Sequence, residues 1–151
     1  MAGLRIDVNI PSVSCVTTTP TLVFFLTTAA NQRVKILAYG IFFDGVSNSA
    51  QPVEIKFARP TAGTFTTGGT AIITEPGLPE TPQTTVGIAA SVQPTLTASL
   101  VHKTITIHPQ LGYEYLSPLG QEEQVKGGTN WCISVNAPAT VNARGYVQFE
   151  E

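Results

Sequence analysis

Apolar and polar side chains alternate along this chain with a period of two, and no sustained 3.6-residue stripe interrupts that rhythm. Leu4, Ile6, Val8 and Ile10 are apolar while Arg5, Asp7 and Asn9 lie between them, the pattern of a strand with one dry and one wet face. Pro11 breaks the run, and a second stretch follows around Val13 to Val16. Thr21 to Thr28 comes next, then Val34 to Phe43, where both parities are apolar. Such a strand is covered on both faces or bends from one sheet into another. Val53, Ile55 and Phe57 alternate with Glu54 and Lys56. Further strands are predicted at Ala71 to Thr74, Val86 to Val92, Val101 to Ile107, Tyr113 to Leu116, Trp131 to Val135 and Val141 to Phe149. Turn residues separate them: Asp44-Gly45, the Gly- and Thr-rich stretch Thr61 to Thr70, Pro76, Pro79 and Pro82, Gly127-Gly128 and Ala137-Pro138. Strands recurring every 10 to 15 residues or so predict an all-β fold, a two-sheet antiparallel sandwich that is jelly-roll-like. The whole of residues 1–151 reads as one sandwich domain, with residues 1–20 as an N-terminal arm.

Composition sharpens this picture by what it lacks. Charged residues make up 12% of the chain, against roughly 25% in ordinary soluble domains. Net charge is −2 and no run of Lys or Arg occurs, so neither a nucleic-acid footprint nor a polybasic membrane surface is expected. The run Leu22 to Leu26 is too short for a membrane span and has no basic segment before it. It reads as a buried strand, not a leader. Mean hydropathy is nonetheless positive, at +0.16, which places the excess apolar surface in a thick core or against another subunit. Cys15 and Cys132 belong to no CxxC or Cys/His cluster. They read as buried free thiols, a bridge remaining open if the fold brings the terminal segments together.

Each arrangement that could carry chemistry has a simpler reading. His102 and His108 are six apart on a strand, so about 20 Å separates them and they cannot share a metal. Gly45-Val46-Ser47-Asn48-Ser49 lacks the second glycine of a hydrolase elbow and reads as a turn. Glu122-Glu123 sits in a polar turn, while Glu54 and Glu114 alternate with apolar neighbours, so a soluble edge explains them better than a glycosidase pair. Tyr113, Tyr115 and Trp131 could form a sugar-stacking platform. The preferred reading puts Trp131 in the core and the tyrosines along a subunit contact, where amphipathic rings are equally at home. No enzyme, catalytic residue, cofactor or metal ligand is expected.

Two stretches carry a resemblance. Residues 31–66 hold Arg33-Val34-Lys35, Phe43-Asp44-Gly45, Pro52-Val53-Glu54-Ile55 and Thr61-Ala62-Gly63-Thr64. Residues 108–151 hold His108-Pro109-Gln110, Gly112-Tyr113-Glu114, Pro118-Leu119-Gly120, Gly127-Gly128, Ala137-Pro138 and Phe149-Glu150-Glu151. Together they cover about half of the chain, and the likeness lies in turn residues and strand ends. In these the chain resembles small β-sandwich structural proteins of tailed bacteriophages, of the capsid decoration (head auxiliary) kind. The resemblance implies a jelly-roll homotrimer seated on the outer capsid lattice of the virion, with the major capsid protein as its partner. Leu4, Ile6, Val8 and Ile10 on the N-terminal arm, with Tyr113 and Tyr115, are the expected contacts to the capsid or to sister subunits, the arm by strand addition. The alternative is a carbohydrate- or receptor-binding sandwich on a phage fibre.

Overall fold

β-Branched and aromatic residues at every second position favour pleated, half-buried backbone. A computed structural model describes residues 3–17, 19–44, 51–61, 71–73, 80–89, 94 and 96–151, and every regular element among them is a strand. In chain order these are β1 (Arg5–Cys15), β2 (Thr21–Thr27), β3 (Val34–Asp44), β4 (Val53–Ala58), β5 (Ala71–Ile73), β6 (Thr85–Ile88), β7 (Val101–Ile107), β8 (Gly112–Leu116), β9 (Glu123–Val125), β10 (Asn130–Asn136) and β11 (Val141–Glu150). The expected turn at Gly45, the serine-containing stretch behind it, most of the Gly- and Thr-rich segment and the prolines at 76 and 79 lie outside the described residues.

The first sheet runs β5-β1-β11-β3-β8, with β9 also paired to β3. The second runs β6-β2-β10-β4-β7. All ladders are antiparallel. With β5 and β6 set aside, the pairs β1·β11, β2·β10, β3·β8/β9 and β4·β7 nest like one long hairpin rolled up, successive pairs falling in alternate sheets. That is the jelly roll. β5 and β6, both from the long β4-to-β7 connection, extend the two sheets beyond β1 and β2.

One core spans both sheets. Ile6, Val8, Ile36, Ile41 and Phe149 of the first face Phe24, Leu26, Ile55, Phe57, Trp131 and Ile133 of the second, all buried. A smaller cluster of Leu22, Phe25, Ala58 and Cys132 lies on the outer face of the second sheet, where Leu96 and Val101 pack over it. This cover explains why β2 and β10 are buried on both faces. Both cysteines are buried free thiols, one in each cluster. Burial raises Cys15 to about 11 and Cys132 to about 12, so neither is a thiolate at neutral pH.

Three expectations are corrected. Pro11 does not end its strand: β1 continues through a register shift between Ile10 and Val13, the bulge that lets a residue without an N–H sit in a ladder. Within residues 1–20, read as an arm, Arg5–Cys15 is instead an inner strand, because β1 lies in the first sheet between β5 and β11. Ile6, Val8 and Ile10 are at most 1% exposed, so they fill this molecule's own core and present nothing to a capsid. Glu123, read as part of a polar turn with Glu122, instead opens β9. Ile6→Ala is expected to cost about 2–5 kcal/mol, as for a buried aliphatic side chain, seen as a lower urea midpoint. A change within about 0.5 kcal/mol, typical of exposed positions, would return β1 to the role of an arm.

Candidate functional site

The residues singled out from sequence fall into two groups. Leu4 is half-buried beside the core, its backbone exchanging hydrogen bonds with Glu151 at 2.9 and 3.0 Å. It precedes Ile6, Val8 and Ile10 on β1. Tyr113 and Tyr115 sit on β8, with β11 and β3 between the two groups. They do not form one surface.

Tyr113 and Tyr115 pack against the core at the edge where the two sheets end in β8 and β7. In register they pair with Ile41 and Tyr39 on the inner face of β3. Facing them from β7 is Lys103, opposite Phe57 of β4. Its ammonium donates to the Tyr113 hydroxyl at 2.6 Å and the Tyr39 hydroxyl at 3.2 Å. It lies 4.2 Å from the Tyr115 ring centroid, 5.0 Å from that of Tyr113 and 5.7 Å from those of Tyr39 and Phe57. Each such cation–π contact is worth roughly 0.5–2 kcal/mol depending on desolvation. A lysine suits this place because its stem covers apolar surface while its head stays at the rim. Burial, and then the neighbouring Tyr113, push the Tyr39 phenol far above its ordinary value, so it is neutral at physiological pH.

Beside this cage a second cross-sheet tie centres on Glu123 of β9. Its carboxylate accepts from the Trp131 indole at 3.0 Å, the Arg59 guanidinium at 3.0 Å and the His102 ring at 2.9 Å. Trp131 and His102 belong to the second sheet, Arg59 directly follows its strand β4, and the acceptor belongs to the first, so one carboxylate clips the sheets together. Burial pushes the Glu123 carboxyl up, but the His102 and Arg59 interactions outweigh it and hold the group below its usual range. Trp131 is fully buried. It cannot be a sugar-stacking platform, and the tyrosines proposed to flank it hold Lys103 instead. The sequence offers no sign of Lys103 and shows Glu123 only as half of the polar Glu122-Glu123 pair, since a Lys or Glu in a strand pattern carries no signal of what stands opposite. Among the described residues no group of three His, Cys, Asp or Glu could hold a metal.

Outside the cage the same edge carries exposed apolar side chains. Among the described residues five large hydrophobic side chains are exposed, and four lie along β8 and its neighbours: Leu111 at 61%, Leu116 at 75%, Leu119 at 98% and Phe42 at 42%. Phe42 lies across Gly112, its partner in register. Tyr146, which donates to Glu114, lies against Gly40 midway along the rim. No family model, no curated protein and no solved structure matches this chain.

A depressed carboxyl stabilises the fold above its unfolded value and loses that stabilisation as pH falls through the folded value. Glu123→Gln is therefore expected to cost about 1–3 kcal/mol near neutral pH, as for a hydrogen bond to a charged group. The gap in urea midpoint between variant and wild type should close below about pH 4, where a free carboxyl protonates. A gap that stays constant with pH would exclude the clip.

Proposed function

We propose that the chain is a non-enzymatic structural protein of a virion, a capsid decoration protein that binds the outer lattice as a homotrimer and reinforces it. The observation that carries this reading is the leucine rim along β8. Large apolar side chains left exposed together at one edge of a sandwich mark a protein contact, and here they accompany a chain poor in charge. A neutral face meets a neighbouring protein without stripping water from ions, the step that makes charged interfaces costly. The resemblance in turn residues and strand ends to phage head auxiliary proteins supplies the kind of partner, the major capsid protein. The jelly roll agrees with it, although that fold hosts many functions and alone names none. Many copies, each bridging neighbouring lattice subunits, raise the total hold well beyond a single contact.

Mixed with shells assembled from a tailed-phage major capsid protein, the full chain is expected to co-sediment saturably, at a fixed ratio of copies. Phe42→Ser with Leu111→Ser should weaken that binding at least tenfold while leaving the far-ultraviolet spectrum unchanged. Recovery of the protein in the supernatant at every concentration would refute the reading.

A further inference from the structure

The rim ends in a knob. Pro118, Leu119, Gly120 and Gln121 form a tight turn closed by the Gln121 N–H to the Pro118 carbonyl at 2.9 Å. Gly120 has φ +81° and open space around it, a conformation glycine takes without strain. The Gly120 N–H also donates to the Glu122 carboxylate at 2.9 Å. Ser117 anchors the base of the turn to β3, its N–H to the Leu37 carbonyl at 2.8 Å and its hydroxyl to the Ile36 carbonyl at 2.9 Å. Leu119 stands at the apex, 98% exposed. A side chain fixed on so well-tied a turn loses little backbone freedom on docking.

The same chain carries a fitting hollow elsewhere. On the outer face of the second sheet a groove of about 270 Å³ is lined by Pro20, Lys56, Pro94, Leu96, Ser134 and Asn136. A space of about 150 Å³ already admits a benzene-sized group, so this one takes a leucine side chain and the proline beside it. The charges also correspond. The Lys56 ammonium gives one of its three N–H groups to Glu54 at 2.8 Å and has two more, while Glu122 follows the knob closely. Knob and groove lie on different sheets, the one at an edge and the other on an outer face, so they serve two molecules.

We infer that a second copy of this chain seats the Leu119 turn of one protomer in the Leu96 groove of the next, a head-to-tail contact that closes into a ring. It rests on the homo-oligomer part of the proposed function and assigns the far end of the rim, Phe42 and Leu111, to the lattice. Such heterologous contacts build rings when the rotation between copies closes.

The test is the native mass of the full chain by light scattering over a hundredfold concentration range, alongside shell co-sedimentation. Wild type is expected as a trimer. Leu119→Ser should weaken assembly at least tenfold and give monomer with an unchanged far-ultraviolet spectrum and cooperative unfolding. Glu122→Lys should weaken it too, and Lys56→Glu combined with Glu122→Lys should restore it. A trimer indifferent to Leu119→Ser and to the charge reversals would overturn the inference and leave the decoration reading standing. A trimer that keeps its mass but loses shell binding on Leu119→Ser would place the knob on the lattice and overturn the inference as well. A monomer that binds shells would overturn the ring alone, and a trimer dispersed by Leu119→Ser that never binds shells would overturn the decoration reading alone.

Discussion

A sandwich of two sheets needs something to hold the sheets together where no strand crosses between them, and in this molecule that place is the edge between β7 and β8. Tyr39 is central there. Its ring lies 4.7 Å from Phe57 and 5.8 Å from Trp131 in the opposite sheet, and 5.3 Å from Tyr115 and 6.3 Å from Tyr113 in its own. Tilted rings at these separations add to their area burial because edge and face carry opposite partial charge. The hydroxyl at the rim end of the same ring then receives Lys103. One side chain thus belongs to the dry core at its body and to the polar seal at its tip. The Glu123 clip continues that seal, and each tie includes a contact between residues 64 apart in sequence, Lys103 to Tyr39 and Arg59 to Glu123.

That distance decides what could be read from the chain. Period-two alternation depends on neighbours along one strand, so the strands, their inner faces and the sandwich class were legible. Thr104 and Thr106 face away from the core, as their parity requires. Sheet membership depends on pairing across the chain, which no local pattern encodes. Ile6, Val8 and Ile10 therefore looked like a sticky arm when they are the middle of a sheet, and Tyr113 and Tyr115 looked like an outward contact when Lys103 waits opposite. β9 escaped notice because three residues are too few to establish a rhythm, and Glu-Glu-Gln reads as a turn until β3 is placed beside it. The exposed leucines were passed over for a related reason: in a β pattern a leucine is presumed core, and only the finished fold reveals which are left outside.

Burial of apolar surface follows different devices on the two outer faces. On the second sheet, Leu22, Phe25, Ala58 and Cys132 are roofed by Leu96 and Val101, so the chain covers itself. Phe25 also lies over Gly87, whose missing side chain makes room for the ring. On the first sheet no strap is present among the described residues, and Phe42 and Tyr146 instead lie across Gly112 and Gly40. Aromatic rings laid over glycines shield a strand that would otherwise expose backbone, a known remedy for weak edges. This shielding is shallow. It leaves apolar carbon at the surface, and beyond its reach Leu111, Leu116 and Leu119 remain uncovered.

The arrangement of charge along that edge also bears on how copies meet. Two β8 strands paired antiparallel about their midpoint would set Glu114 opposite Glu114, and like charges directly across a ladder destabilise it. Each Glu114 carboxylate already accepts from its own Tyr146, which raises that phenol to about 12. A two-fold, edge-to-edge dimer through β8 therefore starts with a penalty at its centre. A rotational, head-to-tail contact avoids it, because the edge of one copy meets a different face of the next. The same carboxylates that keep the edge from pairing with itself leave the leucine turn at its end as the feature a neighbour can accept.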